Sequence, residues 1–503
     1  MLEGQSKLVA RARFLLPVEP EDGASHRIKD GYLLTEAGKI IETGSWNDAV
    51  AARVVPMVER GEARVLGALQ GEGGSSGPAR GPVPCLPGIL LPGFVKAHGH
   101  DHESPIMGVA RDEPLTDWLD HAVNAFAGFV EEERAALEKT LGLSPYLVSY
   151  RKARLDDITY GITTSLVHHC NFNKYHVDEI VAANREAGTR IQLALGSQDR
   201  HHDERILDSV DEALARLDRW QAAYGGEPRF SLMPGPDQFF SNGPEMLKAL
   251  KAWAEREGTR IHIHSSEEPR TTNWFRSTFG KTPVEYGRSV GFLDQTTMLA
   301  HQVNCTDEDL EIIAGSGAAV VHNPLANTIL GSGMPPVVRM LEMRIPLAIS
   351  TDGSGSADNQ NMIAAARLAS QYQKAFHRDA SLLPAHQLLP LITRGPARML
   401  GIKAGALRTG FDADFILVDT RGPNMTPTRL DNCLENLFWA ANGSEIRYVV
   451  ADGRILVDDY SYVPMPVAQI TDPIQEISER FIAWREKATE IRATGARTRR
   501  RKS

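Results

Sequence analysis

Short apolar runs alternate with amphipathic segments from Gly88 to about residue 400, and this alternation restricts the possible folds more than any other feature of the chain. An apolar run bounded by turn residues predicts a buried strand, whereas apolar residues at helical spacing predict an amphipathic helix. Strands that alternate with helices form a parallel sheet with crossover connections. The predicted strands are residues 88–91, 161–168, 189–197, 229–234, 260–265, 297–303, 318–322 and 345–351.

Eight such units predict an α/β fold of the TIM (β/α)8 barrel type, in which the active site lies at the C-terminal ends of the strands. His98 and His100 follow the first predicted strand, and because they are two residues apart they point to the same side of the chain. His264 ends the fifth predicted strand, and Asp352 follows the eighth. These four side chains together predict one metal site that leaves room for water and substrate.

Each histidine alone has a plainer explanation, because a histidine inside an apolar strand is more often a hydrogen-bonded core residue than a ligand. However, Glu267, His301 and His322 also stand at the ends of the fifth, sixth and seventh predicted strands. Several strand ends that carry such residues favour a metal-dependent active site over a set of unrelated core residues.

Five motifs stand in order along the chain: Pro92-Gly93-Phe94-Val95 before His98-Gly99-His100, then Pro114-Leu115-Thr116-Asp117-Trp118-Leu119, His264-Ser265-Ser266-Glu267, His322-Asn323-Pro324 and Ser350-Thr351-Asp352-Gly353. They resemble the motifs of the amidohydrolase superfamily. Within it, they are most similar to the atrazine/triazine chlorohydrolase and cytosine/guanine deaminase-like branch, called the mononuclear type. The resemblance extends from about residue 5 to about residue 460.

The resemblance implies that a metal activates a water molecule, and that Asp352 both ligates the metal and takes the proton of the water. Glu267 would carry a proton to a ring nitrogen or to the leaving amine, and His301 would polarise the substituent of the attacked carbon or hold the tetrahedral intermediate. One divalent metal per chain is expected, because the fourth predicted strand has no lysine where dinuclear members carry one. The ligand set suits zinc or iron, and zinc is the metal we expect.

The resemblance also assigns substrate contacts to Glu103, Trp118, Gln238 and His322. A carboxylate, an indole and an amide suit a flat nitrogen heterocycle. The alternative for Trp118 is packing within a helix, and the alternative for His322 is support of the metal ligands. Lys96 departs from the family pattern, which has Asp or Asn there, and a buried cation requires a partner that the sequence does not identify.

The resemblance further predicts that both ends of the chain build a small β-sandwich domain, from residues 1–88 and 401–465. A segment rich in Gly, Ser and Pro at about 71–84 is interpreted as a flexible insertion. Residues 89–400 are predicted to form the barrel domain. Residues 466–503 are predicted to form a C-terminal helix and a basic tail, which we interpret as a solvated end and not as a nucleic-acid-binding arm.

The formal net charge of −9 argues against a nucleic-acid partner. The four cysteines are widely spaced without a Cys-x-x-Cys pair, which argues against a disulfide framework and against a thiolate zinc site. No apolar run is long enough for a signal peptide or a membrane span, so we expect a cytoplasmic location and no membrane partner. The family resemblance implies a homo-oligomer, a dimer or larger.

These observations predict a metal-dependent hydrolytic deaminase whose small-molecule substrate is an amino-substituted N-heterocycle, such as a purine, pteridine, pyrimidine or triazine. Two alternatives stay open. The same activated water could hydrolyse a ring amide or displace chloride, and a measurement of ammonia release would distinguish these reactions from deamination. The chain could also be a metal-free structural homologue of the barrel, which metal analysis would distinguish.

Overall fold

The computed structural model describes residues 7–19, 26–67 and 82–500, and for residues 488–500 it describes only the backbone. The strands within these ranges are β1 (Lys7–Leu15), β2 (Ile28–Glu36), β3 (Lys39–Ser45), β4 (Ala63–Val65), β5 (Leu86–Pro92), β6 (Phe94–Lys96), β7 (Ile162–His169), β8 (Arg190–Ser197), β9 (Phe230–Pro236), β10 (Ile261–Ser265), β11 (Thr297–His301), β12 (Ala319–His322), β13 (Leu347–Ile349), β14 (Phe415–Asp419), β15 (Ile446–Ala451), β16 (Arg454–Asp458) and β17 (Ser461–Tyr462).

Several of the α-helices begin or end with capping residues that the sequence supplies. Thr306 and Asp309, for example, satisfy each other's backbone N–H groups at the start of α10, and α7 ends at Gly258 in the left-handed conformation, with a φ of 64°. The helices are α1 (Asp48–Glu59), α2 (Leu115–Trp118), α3 (Ala125–Leu141), α4 (Pro145–Thr159), α5 (Val177–Ala187), α6 (Val210–Tyr224), α7 (Pro244–Glu257), α8 (Pro269–Phe279), α9 (Pro283–Ser289), α10 (Asp307–Ser316), α11 (Pro324–Ile329), α12 (Val337–Glu342), α13 (Met362–His377), α14 (Ala385–Leu391), α15 (Arg394–Met399), α16 (Cys433–Trp439) and α17 (Ala468–Arg500).

Two parallel four-stranded sheets, β6-β7-β8-β9 and β10-β11-β12-β13, form the TIM barrel. The halves are joined at one seam by a hydrogen bond of 3.1 Å from the backbone N–H of His264 to the carbonyl oxygen of Asp237. At the other seam the Ser350 hydroxyl donates to the carbonyl oxygen of His98 at 2.8 Å and accepts from the backbone N–H of His98 at 3.2 Å. The predicted barrel is therefore confirmed, and both seams run directly into histidines of the predicted metal site.

The lower part of the barrel interior is filled by small and medium-sized apolar side chains. Val95, Leu166, Met233 and Val321 belong to a buried cluster drawn from strands of both halves. Because these side chains pack closely inside the ring of strands, the barrel is a solid core and not a pore. The polar side chains in the loops after the strands therefore lie on top of this packed apolar cluster.

A nine-stranded sheet is built from the two ends of the described chain, in the order β17-β16-β15-β14-β5-β1-β2-β3, with β4 paired to β1. Its edge strand β3 turns back onto the segment before β14, because the N–H of Ile40 donates to the carbonyl oxygen of Phe411 at 2.9 Å. Leu8, Ile40, Phe415 and Val450 share one apolar cluster between the two wings of this sheet. This is the predicted β-sandwich, made from one curled sheet.

The predicted first barrel strand is wrong in position. Residues 88–91 lie in β5, which pairs with β1 and β14 in the nine-stranded sheet, and the barrel strand is β6. The chain crosses between the two structures at Gly93, where a Cβ atom would clash with the side chain of Thr163. The apolar run of β5 is buried in either arrangement, so its composition does not distinguish the two sheets.

The predicted domain boundaries stay a prediction. Most of the interpreted insertion at 71–84 lies outside the described residues, as do the side chains of the basic tail; the backbone of the C-terminal helix is described as α17. Within the described ranges, no helix combines the length and the apolar character needed to cross a bilayer.

Candidate metal centre and active site

The four predicted metal ligands lie together at the C-terminal ends of the barrel strands. His98 and His100 occupy the loop after β6, His264 lies in β10, and Asp352 follows β13. The Oδ1 atom of Asp352 is 3.3 Å from His98 Nε2 and 3.6 Å from His100 Nε2, and the Nε2 atoms of His100 and His264 are 3.2 Å apart. All four side chains are buried, so three imidazole nitrogens and one carboxylate converge at a site shielded from bulk water.

The other nitrogen of each imidazole is held by a neighbouring group. His98 Nδ1 is 3.2 Å from Nε2 of His262. His100 Nδ1 donates to the carbonyl oxygen of His168 at 3.0 Å, and His264 Nδ1 donates to the carbonyl oxygen of Asp237 at 2.8 Å. Such partners orient the rings of metal-binding histidines and fix their tautomer. All three Nε2 atoms are thereby directed to one point.

The protonation of these groups fits a cation at that point. Burial lowers the pKa of His98 well below its usual value and that of His100 to about 4, so both rings are neutral and offer a lone pair. Burial alone would lower the pKa of His264, but its hydrogen bond to Asp237 and the charge of Asp237 raise it to about 9. A bound metal would displace that proton, as it does from other histidine ligands.

A second observation supports the binding of a cation by these four side chains. Within the described part of the chain, no hydrogen bond reaches the buried Nε2 atom of His98. A buried nitrogen without a partner is costly, and a cation accepting its lone pair would remove that cost. The donor set of three histidines and one aspartate is one that suits zinc and other divalent transition metals.

Glu267 and His301 lie beside the same cluster. His301 Nε2 is 3.4 Å from Glu267 Oε2 and 3.8 Å from Asp352 Oδ2, while its Nδ1 atom faces the Asn327 side-chain oxygen at 2.9 Å. Burial and the nearby charge of Asp352 raise the pKa of Glu267 to about 8. The Glu267 carboxyl therefore retains a proton near neutral pH, which is what a proton donor requires.

His301 and Asp352 both adopt backbone conformations that are unusual for their residue types, with φ angles of 76° and 79°. A residue other than glycine in this left-handed region costs of order 1–3 kcal/mol and persists only where its surroundings hold it. Both residues carry predicted catalytic roles. The strain here accompanies two side chains that must turn towards the same point, one from the end of β11 and one from the loop after β13.

A cleft with an empty volume of about 620 Å³ opens above this cluster. Three of the predicted substrate contacts, Glu103, Trp118 and Gln238, lie on its wall. The Glu103 carboxylate accepts hydrogen bonds from the backbone N–H groups of Gly355 at 3.2 Å and Ser356 at 2.9 Å, so it is held by the loop that follows Asp352.

His322 is not among the residues that line the cleft. It is fully buried at the end of β12, and neither of its ring nitrogens has a hydrogen-bond partner among the described residues. Burial lowers its pKa to about 3, so the ring is neutral. The structure thus places three of the four predicted substrate contacts in the wall of the cleft, whereas His322 does not line it.

The partner of Lys96, which sequence reasoning could not name, is Asp157 on α4. Lys96 Nζ donates to Asp157 Oδ1 at 2.7 Å and to the side-chain oxygen of Gln360 at 3.0 Å. Arg154, also on α4, binds Asp157 and Asp101 at 2.9 and 2.6 Å. Asp101 follows His100 directly, so this buried ionic network supports the ligand loop from below.

We expect Lys96→Met to destabilise the fold by about 3–5 kcal/mol, because removal of one partner leaves buried polar groups uncompensated. Denaturant-induced unfolding of the two proteins measures the change. Lys248→Met is the matched control, because Lys248 pairs with Glu245 on the surface at 3.7 Å and such pairs contribute at most about 1 kcal/mol. Equal stability of the Lys96 and Lys248 variants would contradict the role of the network.

His262 is a functional residue that the sequence analysis missed. It lies two residues before His264 in the same strand, so both point into the barrel, and this alternation was the available signal.

We expect His262→Leu to weaken zinc binding about 10–100-fold, because His98 loses the group that orients it. His262→Gln, which keeps a hydrogen-bonding side chain, should recover most of the affinity. A competition titration with a zinc indicator measures both variants, and an equal loss in the two would refute the orienting role.

The sequence pattern of the amidohydrolase family matches residues 89–456. The chain belongs to the amidohydrolase family. The predicted family is thereby confirmed, and the match covers the barrel together with β14 and β15 and part of β16.

Relatives of this amidohydrolase carry the names of deaminases. A 5-methylthioadenosine/S-adenosylhomocysteine deaminase of Moorella thermoacetica is 32% identical over 374 residues, which cover 73% of this chain and 82% of the relative. A 5'-deoxyadenosine deaminase of Methanosarcina mazei is 28% identical over 482 residues, covering 95% and 98%. Among solved structures, atrazine chlorohydrolase TrzN from Arthrobacter aurescens TC1, complexed with zinc, superposes with a TM-score of 0.80 at 21% identity, covering 94% of this chain and 100% of that one.

Proposed function

We propose that the protein is a metal-dependent hydrolytic deaminase that replaces the amino group of an N-heterocycle by oxygen and releases ammonia. One observation carries the proposal: Glu267, which holds a proton near neutral pH, lies 3.4 Å from His301, and His301 lies 3.8 Å from the predicted metal ligand Asp352. Hydrolysis of a ring amine needs these elements together, namely an activated water and a proton donor for the leaving nitrogen.

We further propose that His98, His100, His264 and Asp352 hold one divalent metal, and that the metal is zinc. When bound, such an ion acts as a Lewis acid and lowers the pKa of a coordinated water. The orientation of the three imidazoles by His262, His168 and Asp237 supports this assignment. The named relatives are deaminases of adenosine-type compounds, which supports the reaction class.

The chain's own residues supply the proton transfers in this proposal. Asp352 accepts a proton from the attacking water through the carboxylate oxygen that faces His301 at 3.8 Å. Glu267 donates its proton to a ring nitrogen, Asp352 passes the proton it took from the water to the departing amine, and the remaining hydroxyl proton of the intermediate returns to Glu267, so that ammonia leaves as a neutral molecule. His301, held through Nδ1 by the Asn327 side-chain oxygen, faces the Glu267 carboxyl through Nε2, and it donates a hydrogen bond to the oxygen that develops on the attacked carbon only when both ring nitrogens carry a proton.

Glu103, Trp118 and Gln238 are proposed to position the ring. Trp118 is almost fully buried, so its indole is held in place by its neighbours and offers a flat apolar surface. Apolar side chains and the amide group of Gln238 both line the cleft, and this combination suits an aromatic ring with polar edges. The predicted homo-oligomeric state and cytoplasmic location stay predictions.

The test is ammonia release by purified protein of known metal content, across amino-substituted purines, pteridines, pyrimidines and triazines. We expect turnover within one ring class and about one metal per chain. Metal without ammonia from any compound would refute the deaminase. Appearance of chloride from a chlorotriazine, or of a ring-opened acid from a cyclic amide, would identify one of the other hydrolytic reactions instead.

A further inference from the structure

The cleft above the predicted metal ligands has an unusual balance of charge. Four acidic side chains border it, from Glu103, Asp237, Glu267 and Asp352, and of these Glu267 retains its proton near neutral pH. Over the described part of the chain, its wall contains no lysine and no arginine. A divalent metal at the floor would offset this negative charge, but the rest of the wall would still offer no cation to an anionic substituent.

The arginines in the loops around the barrel mouth are already paired with carboxylates. Arg270 binds Asp117 at 3.1 Å, and Arg111 binds Asp358 at 3.0 Å. Arg200 and Arg205 each bind a neighbouring aspartate at 2.6 Å. These pairs neutralise the positive charge next to the opening, so the surface leading into the cleft offers little attraction to an anion.

Part of the wall is apolar, and the rest carries the uncharged polar side chains of Asn124, Asn171 and Gln238. Leu115, Leu119, Val123 and Leu330 stand with Trp118 around the cleft. Apolar side chains cannot satisfy the hydrogen bonds of a phosphate or a carboxylate, and burial of an unpaired anion among them is costly. They do accommodate alkyl, thioether or uncharged ring substituents.

We infer that the substrate is an aminoheterocycle whose substituents carry no negative charge, and that the cleft rejects the phosphorylated or carboxylated form of the same ring. The inference rests on the proposed deaminase function. Under this inference, free bases and uncharged nucleoside-like compounds are substrates, whereas nucleotides and compounds with an amino-acid tail are not.

The test compares pairs that differ only in charge, within the ring class that the ammonia panel identifies. Suitable pairs are adenosine-5'-carboxamide with adenosine-5'-carboxylate, and pterin-6-carboxamide with pterin-6-carboxylate. We measure kcat/KM for each member, and also its inhibition constant against turnover of the unsubstituted ring. We expect the carboxamide to exceed the carboxylate by at least about 100-fold in kcat/KM or in inhibitory affinity, because no cation of the wall pairs with the carboxylate and its burial there is costly.

A substitution in the wall tests whether the absence of a cation causes the preference for the carboxamide. Leu119 lines the cleft and is only half-buried, so a lysine can be introduced there without burying its charge. Leu119→Lys should reduce the preference for the carboxamide at least tenfold, because it supplies the missing cation, whereas Leu119→Met should leave the preference unchanged.

The outcomes separate the two hypotheses. A carboxylate that binds or reacts as well as its carboxamide overturns the charge inference and leaves the deaminase in place. An unchanged preference in Leu119→Lys also overturns it, because the selection would then arise from shape. Failure of every ring to release ammonia overturns the deaminase, and the charge inference with it.

Discussion

Asp352→Asn should abolish turnover, with a fall in kcat of at least about 10⁴-fold, because one substitution removes a metal ligand together with a proton acceptor that alone contributes about 10²–10⁴-fold. The asparagine keeps the size of the side chain, so the strained backbone at this position, with its φ of 79°, need not change. Steady-state ammonia release measures the loss, and elemental analysis of the same preparation shows how much metal remains.

The control for this variant is Asp431→Asn. Asp431 is an exposed residue that pairs with Arg429 at 3.0 Å, far from the barrel mouth in the segment before α16. The same chemical change there should leave activity and metal content at the level of the unmodified protein. If Asp352→Asn kept more than about one hundredth of the activity, Asp352 could not be the residue that accepts the proton.

Glu267→Gln should lower kcat by about 10²–10⁴-fold while the metal content stays unchanged, because the amide retains the shape of the carboxyl but cannot deliver its proton. Glu267 does not belong to the predicted ligand set, and its contact is with His301 at 3.4 Å. Full metal loading together with slow turnover is therefore the expected combination. It distinguishes this variant from Asp352→Asn, in which metal binding is also weakened.

The neighbouring Glu268→Gln is a strict control for position. The Glu268 carboxylate accepts a hydrogen bond from the Thr116 hydroxyl at 2.6 Å and does not line the cleft. Its substitution should change kcat by less than about tenfold, within the effect of one hydrogen bond. Similar losses in the two glutamine variants would mean that Glu267 acts through the packing of this loop and not through its proton.

The barrel, the family and the residues of the site were accessible from sequence because each leaves a local signal. Alternating strand and helix patterns predict the barrel, and polar residues at strand ends mark the site, since parallel strands end at one face. His98, His100, His264 and Asp352 lie close together in the structure, and their role as metal ligands stays a prediction. The deaminase relatives agree with the predicted reaction class.

What could not be predicted depends on contacts between residues far apart in sequence. The partner of Lys96 lies on α4 and in the loop before α13, at Asp157 and Gln360, and no local pattern connects these positions. The position of His322 behind the cleft depends on how far β12 reaches before the chain turns. The placement of residues 88–91 in the nine-stranded sheet depends on β14, whose pairing is equally non-local.

Strand β5 continues through Gly93 into the loop that carries His98 and His100, and its antiparallel neighbour β14 comes from near the other end of the described chain. During synthesis on the ribosome, β5 emerges long before β14 does. Pairing across such a separation is slow to form, because the intervening chain must first be ordered. The loop with two of the four predicted ligands therefore gains its last anchor only after the whole barrel has been made, so the metal centre should mature late in folding.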